Sequence, residues 1–400
     1  MPLQPDGANT PDPAPIRSAE EFLVFGAPEV HDDDIAEVVA TLKSGWWGTG
    51  PRAARFEDAF REYKNGRHAV ALGSCTAALH LSLLAARLEP GDEIITTPLT
   101  FCATINAIRH AGATPVLADV DPDTMNIDVQ KVRERITERT RAILPVHFAG
   151  RPCEMDAPLE IASAKDIAII EDCAHAIETE YHGQAAGTFG AFGCFSFYVT
   201  KNIATAEGGM VLTSDEEAAN RIRRLALHGM TKDAWKRFGD EGYKHYLVVE
   251  SGYKYNMTDL QAALGLGQLA RVDSNHAKRE RLWRFYTDAL ADLPVILPSA
   301  PAPATRHGYH LYTVLVDEHD AGIARDAFLD GLTRQGIGTG VHYLAIPEHP
   351  SYQEQFGWRP EEWPEATRIG RQTVSLPLSA SLDERDAEDV VQAIRRVLGA

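Results

Sequence analysis

The sequence predicts an α/β protein with a large domain on a mostly parallel sheet and a smaller C-terminal α+β domain. Three observations predict it. From Arg67 onward, short and continuously apolar runs alternate with segments of helical spacing, as when helices cover both faces of a parallel sheet. After about Ala270 the alternation gives way to a long charged helical stretch. Pro294, Pro298, Pro301 and Pro303 then mark a crossing between units.

Taken in order, residues 1–15 are rich in Pro, Asp, Asn and Gly and read as a disordered tail. The large domain spans 16–270 and the small one 271–400. Ile35, Val38, Val39 and Leu42 recur at helical spacing, so a helix is expected over His31–Ser44, with Gly45 as its stop. Gly45 to Pro51 carries Trp46 and Trp47 and is too broken by glycine to be regular. Strands follow at His68–Leu72, Glu93–Thr97, Pro115–Val120, Ala142–Val146 and Ile167–Glu171. Helices alternate with them at Thr76–Leu88, Ala103–His110, Val129–Ile136 and Met155–Ala164. Cys194–Tyr198 and Gly209–Thr213 continue the sheet. Arg271–Leu290 is the long charged helix, and the remainder mixes strands at Leu311–Val316 and Gly340–Tyr343 with two amphipathic helices.

Composition narrows the function. Hydrophobic residues make up 44% and charged residues 24%, ordinary for a soluble protein with a core. The formal charge of −18 repels phosphate backbones, so nucleic acid is not an expected partner. Cys75, Cys102, Cys153, Cys173 and Cys194 are scattered, with no CxxC pair and no zinc spacing. They read as reduced thiols of a cytoplasmic protein, and no metal is expected. No stretch has the length of a membrane span, and the proline-rich start is not a signal peptide.

Three segments of the large domain carry chemistry. In Ala71-Leu72-Gly73-Ser74-Cys75-Thr76-Ala77-Ala78 a strand ends, small residues turn and a helix begins. Such a junction offers unpaired N–H groups and a helix dipole to a phosphate; an N-cap by Ser74 gives the same pattern. In Ile169-Ile170-Glu171-Asp172-Cys173-Ala174-His175 an acid ends a buried strand, where open sheets place ligands. Asp172 could pair with a pyridinium nitrogen or cap the next helix. In Phe195-Ser196-Phe197-Tyr198-Val199-Thr200-Lys201-Asn202 a lysine follows an apolar strand. Partial desolvation would lower its pKa and make the amine a nucleophile. A phosphate turn, an acid and then a lysine on one sheet is the set that pyridoxal phosphate requires.

With Pro145-Val146-His147-Phe148-Ala149-Gly150, Gly252-Tyr253-Lys254-Tyr255-Asn256-Met257-Thr258-Asp259 and Gly336-Ile337-Gly338-Thr339-Gly340-Val341-His342-Tyr343, these segments resemble the DegT/DnrJ/EryC1/StrS family of sugar aminotransferases. The likeness runs from about residue 20 to the C-terminus. It implies fold type I, the aspartate-aminotransferase-like fold, with pyridoxal 5'-phosphate held by Lys201 as a Schiff base. It implies that Lys201 also moves the proton, that Asp172 holds the pyridinium nitrogen, and that Cys75, Thr76 and Ser196 bind the phosphate. Phe101 would stack on the ring and His175 would lie near its phenolic oxygen.

Where many members read Gly-Tyr-Asn-Tyr-Arg, this chain has Lys254 and Asn256, residues i and i+2 on one face of an extended segment. Either is a candidate for the phosphate of a neighbouring subunit, since the resemblance implies a homodimer with shared sites. Trp47 and Thr49 match a segment near the sugar nucleotide, and His147, His310, His342 and Tyr343 fall where relatives border the substrate cleft. The implied reaction moves an amino group, with glutamate as donor, to a nucleotide-linked keto sugar, C4 being favoured. An aminocyclitol or simple amine substrate, and a non-catalytic regulatory protein that keeps the fold, are the alternatives. A sugar dehydratase is disfavoured because such relatives carry His at the lysine position.

Overall fold

The computed structural model describes residues 14–231 and 246–400. The expected tail therefore lies, up to residue 13, outside the described residues. A seven-stranded sheet forms the centre, in the order His68–Leu72, Gly209–Thr213, Phe192–Ser196, Ala168–Asp172, Thr140–Leu144, Glu93–Thr96, Thr114–Leu117. Five neighbouring strands pair parallel, and Gly209–Thr213 runs antiparallel to both of its neighbours. All expected strands of this sheet are present, with ends displaced by up to three residues. The inner strands are buried almost throughout because helices cover both faces, which is why they read as unbroken apolar runs.

Three helices of this region carry less sequence signal than the strands: Pro51–Tyr63, Glu216–Ala226 and Asp259–Ala270. The first begins at Gly50, which has no side chain to cap it. Its cap comes from 206 and 207 residues along the chain. The buried carboxylate of Asp259 accepts the amides of Arg52 at 3.1 Å and Ala53 at 2.9 Å. Asp259 meanwhile opens its own helix behind Thr258, which forms a capping box with Gln261. The two helices pack closely at Gly265, where a Cβ would stand 2.6 Å from the Phe56 ring. Phe56, Phe60, Phe195 and Phe197 join edge to face beneath them and seat the Lys201 strand.

The C-terminal unit has its own core, from Leu282, Trp283 and Tyr286 through Tyr312, Val314 and Phe328 to Val390 and Ile394. Tyr312–Leu315 pairs antiparallel with Thr373–Leu376. The expected strand at Gly340–Tyr343 does not form: only Gly340 bridges Ser375, and the segment then turns into the cleft. Ile16 and Leu23 pack on the C-terminal core, and Leu23 bridges Ile337. The helix Val272–Ala289 runs between the units and buries Asn275, His276, Arg279, Leu282, Trp283 and Tyr286 on one face.

Because Asp259 caps a helix it does not belong to, Asp259→Ala should cost about 1–2 kcal/mol, the usual loss for a missing cap. The expected outcome is a lower urea midpoint at unchanged slope, with Asp259→Asn closer to wild type.

Candidate active site

The site lies at the carboxyl ends of Ala168–Asp172 and Phe192–Ser196, facing the start of helix Cys75–Ala85. Asp172 is the last residue of its strand and is 5% exposed. One carboxylate oxygen accepts from Thr104 Oγ1 at 2.9 Å and the other from the Ala174 amide at 3.1 Å. Thr104 is itself paired with Thr100 Oγ1 at 2.8 Å. Among the described residues Asp172 has no ion-pair partner within contact distance. Burial raises its pKa, while the Ala174 and Thr104 hydrogen bonds and the Lys201 charge pull it back. An N–H cation arriving there would relieve that desolvation.

Glu171 points to the other face and is fully engaged. It accepts the amides of Gly187 at 2.6 Å, Phe189 at 2.8 Å and Gly190 at 2.9 Å, and meets His147 Nε2 at 3.1 Å. The other nitrogen of His147 accepts the Cys153 amide at 3.0 Å, and the ring is completely buried. His147 therefore does not border the cleft as expected; it clamps the strand end behind it. Its sequence neighbours gave no sign of this, because the partner Glu171 and the loop 187–190 are distant in the chain.

Lys201 follows the Phe192–Ser196 strand after a turn in which its amide donates to the Tyr198 carbonyl at 2.8 Å. Burial lowers its pKa to about 8, against the opposing charges of Cys75 and Asp172. Ser74 caps the helix opposite through Ala77, leaving the first amides, those of Cys75 and Thr76, without intrahelical partners. Gly209 keeps that end open, since a Cβ there would meet Ser74 and Cys75 backbone atoms at 2.4–2.6 Å. The Cys75 thiol donates inward to the Cys194 carbonyl at 3.5 Å, and burial raises its pKa, so it offers its amide and not its sulfur. Ser196 lies beside this turn, buried, with its hydroxyl 3.4 Å from the Tyr198 amide.

An aromatic wall closes the side toward the small unit. His175 Nδ1 accepts the Ala149 amide at 3.2 Å and its Nε2 meets the Tyr343 hydroxyl at 3.0 Å. Burial, together with Lys201, pushes the His175 pKa well down, so the ring is neutral and its Nε2–H donates to Tyr343. The Tyr343 proton is then free to turn elsewhere. Phe101, 57% exposed at the start of helix Cys102–His110, has its ring 5.9 Å from that of Tyr343. His342 pairs with Ser375 Oγ at 2.8 Å, and burial lowers its pKa to about 3.

Thr49, Lys254 and Asn256 form a hydrogen-bonded set beside the end of strand His68–Leu72. Asn256 bridges Leu72, its Nδ2 donates to Thr49 Oγ1 at 2.6 Å, and Lys254 Nζ donates to Asn256 Oδ1. Lys254 and Asn256 thus share a face, as their spacing predicts. Trp47 is 55% exposed, with its indole N–H on the Leu42 carbonyl at 3.0 Å. Thr100 and Thr104, which support Asp172, were marked in the sequence only by their i, i+4 spacing at a helix start.

The DegT/DnrJ/EryC1/StrS aminotransferase family matches residues 28–395. Spore coat polysaccharide biosynthesis protein SpsC of Bacillus subtilis is 44% identical over 384 residues, which cover 96% of this chain and 99% of that protein. Among solved structures, the PLP-form of a putative sugar aminotransferase from Streptococcus pneumoniae superposes with a TM-score of 0.87 at 31% identity, covering 94% of this chain and 99% of that one. Helicobacter pylori PseC, an aminotransferase involved in the biosynthesis of pseudoaminic acid, gives 0.87 at 29%, covering 94% and 99%. This chain belongs to the DegT/DnrJ/EryC1/StrS aminotransferase family.

The lowered pKa has a direct consequence. Only the neutral amine attacks a carbonyl, so labelling of Lys201 by a small aldehyde with cyanoborohydride should rise with pH to a plateau, with a midpoint at about 8. Peptide mass spectrometry checks it. Lys64, whose pKa burial also lowers to about 8, is 1% exposed and should stay unlabelled in the native protein.

Proposed function

We propose that the chain is a pyridoxal-phosphate-dependent sugar aminotransferase that moves an amino group from glutamate to the keto carbon, at C4, of a nucleotide-linked sugar. The observation that carries this reading is the placement of a buried carboxylate, Asp172, with no ion-pair partner among the described residues, together with a lysine amine of depressed pKa, Lys201, at one end of one sheet. The names of the relatives, sugar aminotransferases among them, support the substrate class. When bound, pyridoxal phosphate supplies an electron sink that stabilises negative charge at the substrate carbon.

The residues present fit that cofactor. The Cys75 and Thr76 amides and the Thr76 and Ser196 hydroxyls would hold the phosphate at a helix end kept open by Gly209. Asp172 would hold the ring nitrogen protonated, and Thr104 and Ala174 fix the carboxylate for it. Phe101 would cover the ring face, and His175 and Tyr343 would set the hydrogen bonds at its edge. Lys201 would hold the cofactor through Nζ and would take and return the proton at the reacting carbon of the substrate. Its lowered pKa lets one group serve both as base and as acid near neutral pH.

Trp47, Thr49 and His342 would line the sugar-nucleotide side. We place a second copy of the chain on the exposed face of helix Asp32–Ser44, where Ile35, Val39 and Leu42 lie 54%, 40% and 45% exposed, continued by Trp46 and Trp47. A run of this kind on a soluble enzyme calls for cover. The copy would bring Lys254 or Asn256 to the neighbouring phosphate. Five free cysteines fit a cytoplasmic setting.

A panel of keto sugar nucleotides with glutamate, read by formation of 2-oxoglutarate, tests the proposal. Turnover should appear with a 4-keto nucleotide sugar and disappear in Lys201→Ala. Asp172→Asn, which keeps the shape and removes the charge, should slow it by about two orders of magnitude, the scale of losing one electrostatic partner of a transition state. Undiminished activity in Lys201→Ala would end the reading.

A further inference from the structure

The turn that carries Lys201 is anchored through the next residue, Asn202, to which the proposed reaction gives no part. Asn202 Nδ2 donates to Glu178 Oε2 at 2.7 Å and to the Gly308 carbonyl at 2.9 Å, and its Oδ1 lies 3.0 Å from His310 Nδ1. Both partners of the NH2 group only accept. Glu178 is buried and ion-paired with Arg279, which also donates to the Tyr309 carbonyl at 3.1 Å. The carboxamide can therefore face only one way, with Oδ1 toward His310.

That orientation sets the tautomer of His310. A hydrogen bond to Oδ1 requires the proton on Nδ1. The ring is 5% exposed and stands 4.4 Å from the ring of His175. Burial, and next the charge of Lys201, push its pKa well below the usual range, so a second proton is not held. Nε2 is left with its lone pair. The opposite tautomer would carry an N–H at Nε2, and an N–H repels an ammonium group such as that of Lys201, whose charge reaches this ring.

We propose that Asn202 is a positioning residue: oriented by Glu178 and Gly308, it locks His310 as an uncharged acceptor for the N–H groups that Lys201 and the amino donor bring into the site. This rests on Lys201 being the reacting lysine. It also explains why the pair Glu178–Arg279 sits buried so near the site: Arg279 belongs to the helix that joins the two units, so the tautomer is set from the junction.

The test is a long-range proton–nitrogen correlation spectrum of the pyridoxal-phosphate-loaded protein with 15N-histidine. The His310 signals are those lost in His310→Asn. The Nδ1–H pattern is expected in wild type, moving toward Nε2–H in Asn202→Leu and also in Glu178→Gln, which keeps the buried shape. In stopped flow, glutamate should bleach the visible band of the lysine-bound cofactor about tenfold more slowly in Asn202→Leu, the worth of one hydrogen bond. The double variant Asn202→Leu/His310→Asn should be no slower than His310→Asn alone. An Nε2–H tautomer in wild type, a tautomer unmoved by both variants, or additive rate losses would overturn the proposal. A loaded wild type with no visible band would instead sink the role of Lys201, a failure seen in a different readout.

Discussion

The site is organised by a carboxylate buried without a cation. Asp172 ends a strand inside a parallel sheet, where water is excluded and no basic side chain among the described residues comes within ion-pairing distance. Such a group is costly unless something arrives to share its charge. The protein holds it with two hydrogen bonds, from Thr104 and Ala174, which fix its direction without an ion pair at contact distance. Around it the chain arranges what a cationic heteroaromatic phosphate needs: an open helix end, an aromatic face and an amine of low pKa.

The neighbouring acid shows how much the surroundings decide. Glu171 is one residue away, equally buried, and spent on structure, because three backbone amides and His147 take up its lone pairs. Alternation along a strand sends the two carboxylates to opposite faces. One faces a loop that saturates it and the other faces the cleft. The same contrast holds for the two lysines whose pKa burial lowers to about 8. Lys64 donates to the Ile177 carbonyl at 2.8 Å and lies over the Phe195 ring, sealed in the interior. Lys201 is half-buried at the strand ends, where a ligand can reach it.

Much of this was legible in the sequence. Unbroken apolar strands marked the sheet, and Ser74–Thr76, Asp172 and Lys201 marked the candidate site, because each sits at a strand end or helix start that local pattern shows. What was not legible depended on long-range partners. The helix Pro51–Tyr63 owes its cap to Asp259, and His147 owes its inward place to Glu171 and Cys153. Gly340–Tyr343 has the alternation of a strand, yet only one residue finds a bridge, since the segment is drawn toward His175. The orientation of Asn202 depends on Glu178, Gly308 and His310, spread over more than a hundred residues.

On the proposed chemistry Lys201, and no other lysine, forms the covalent bond to the cofactor. Borohydride reduction of the pyridoxal-phosphate-loaded protein, followed by peptide mapping, reads this directly. A phosphopyridoxyl group on the peptide containing Lys201 alone is the result expected. The same group on Lys64 or Lys254 in place of Lys201, or no modified peptide from a loaded protein, would contradict it.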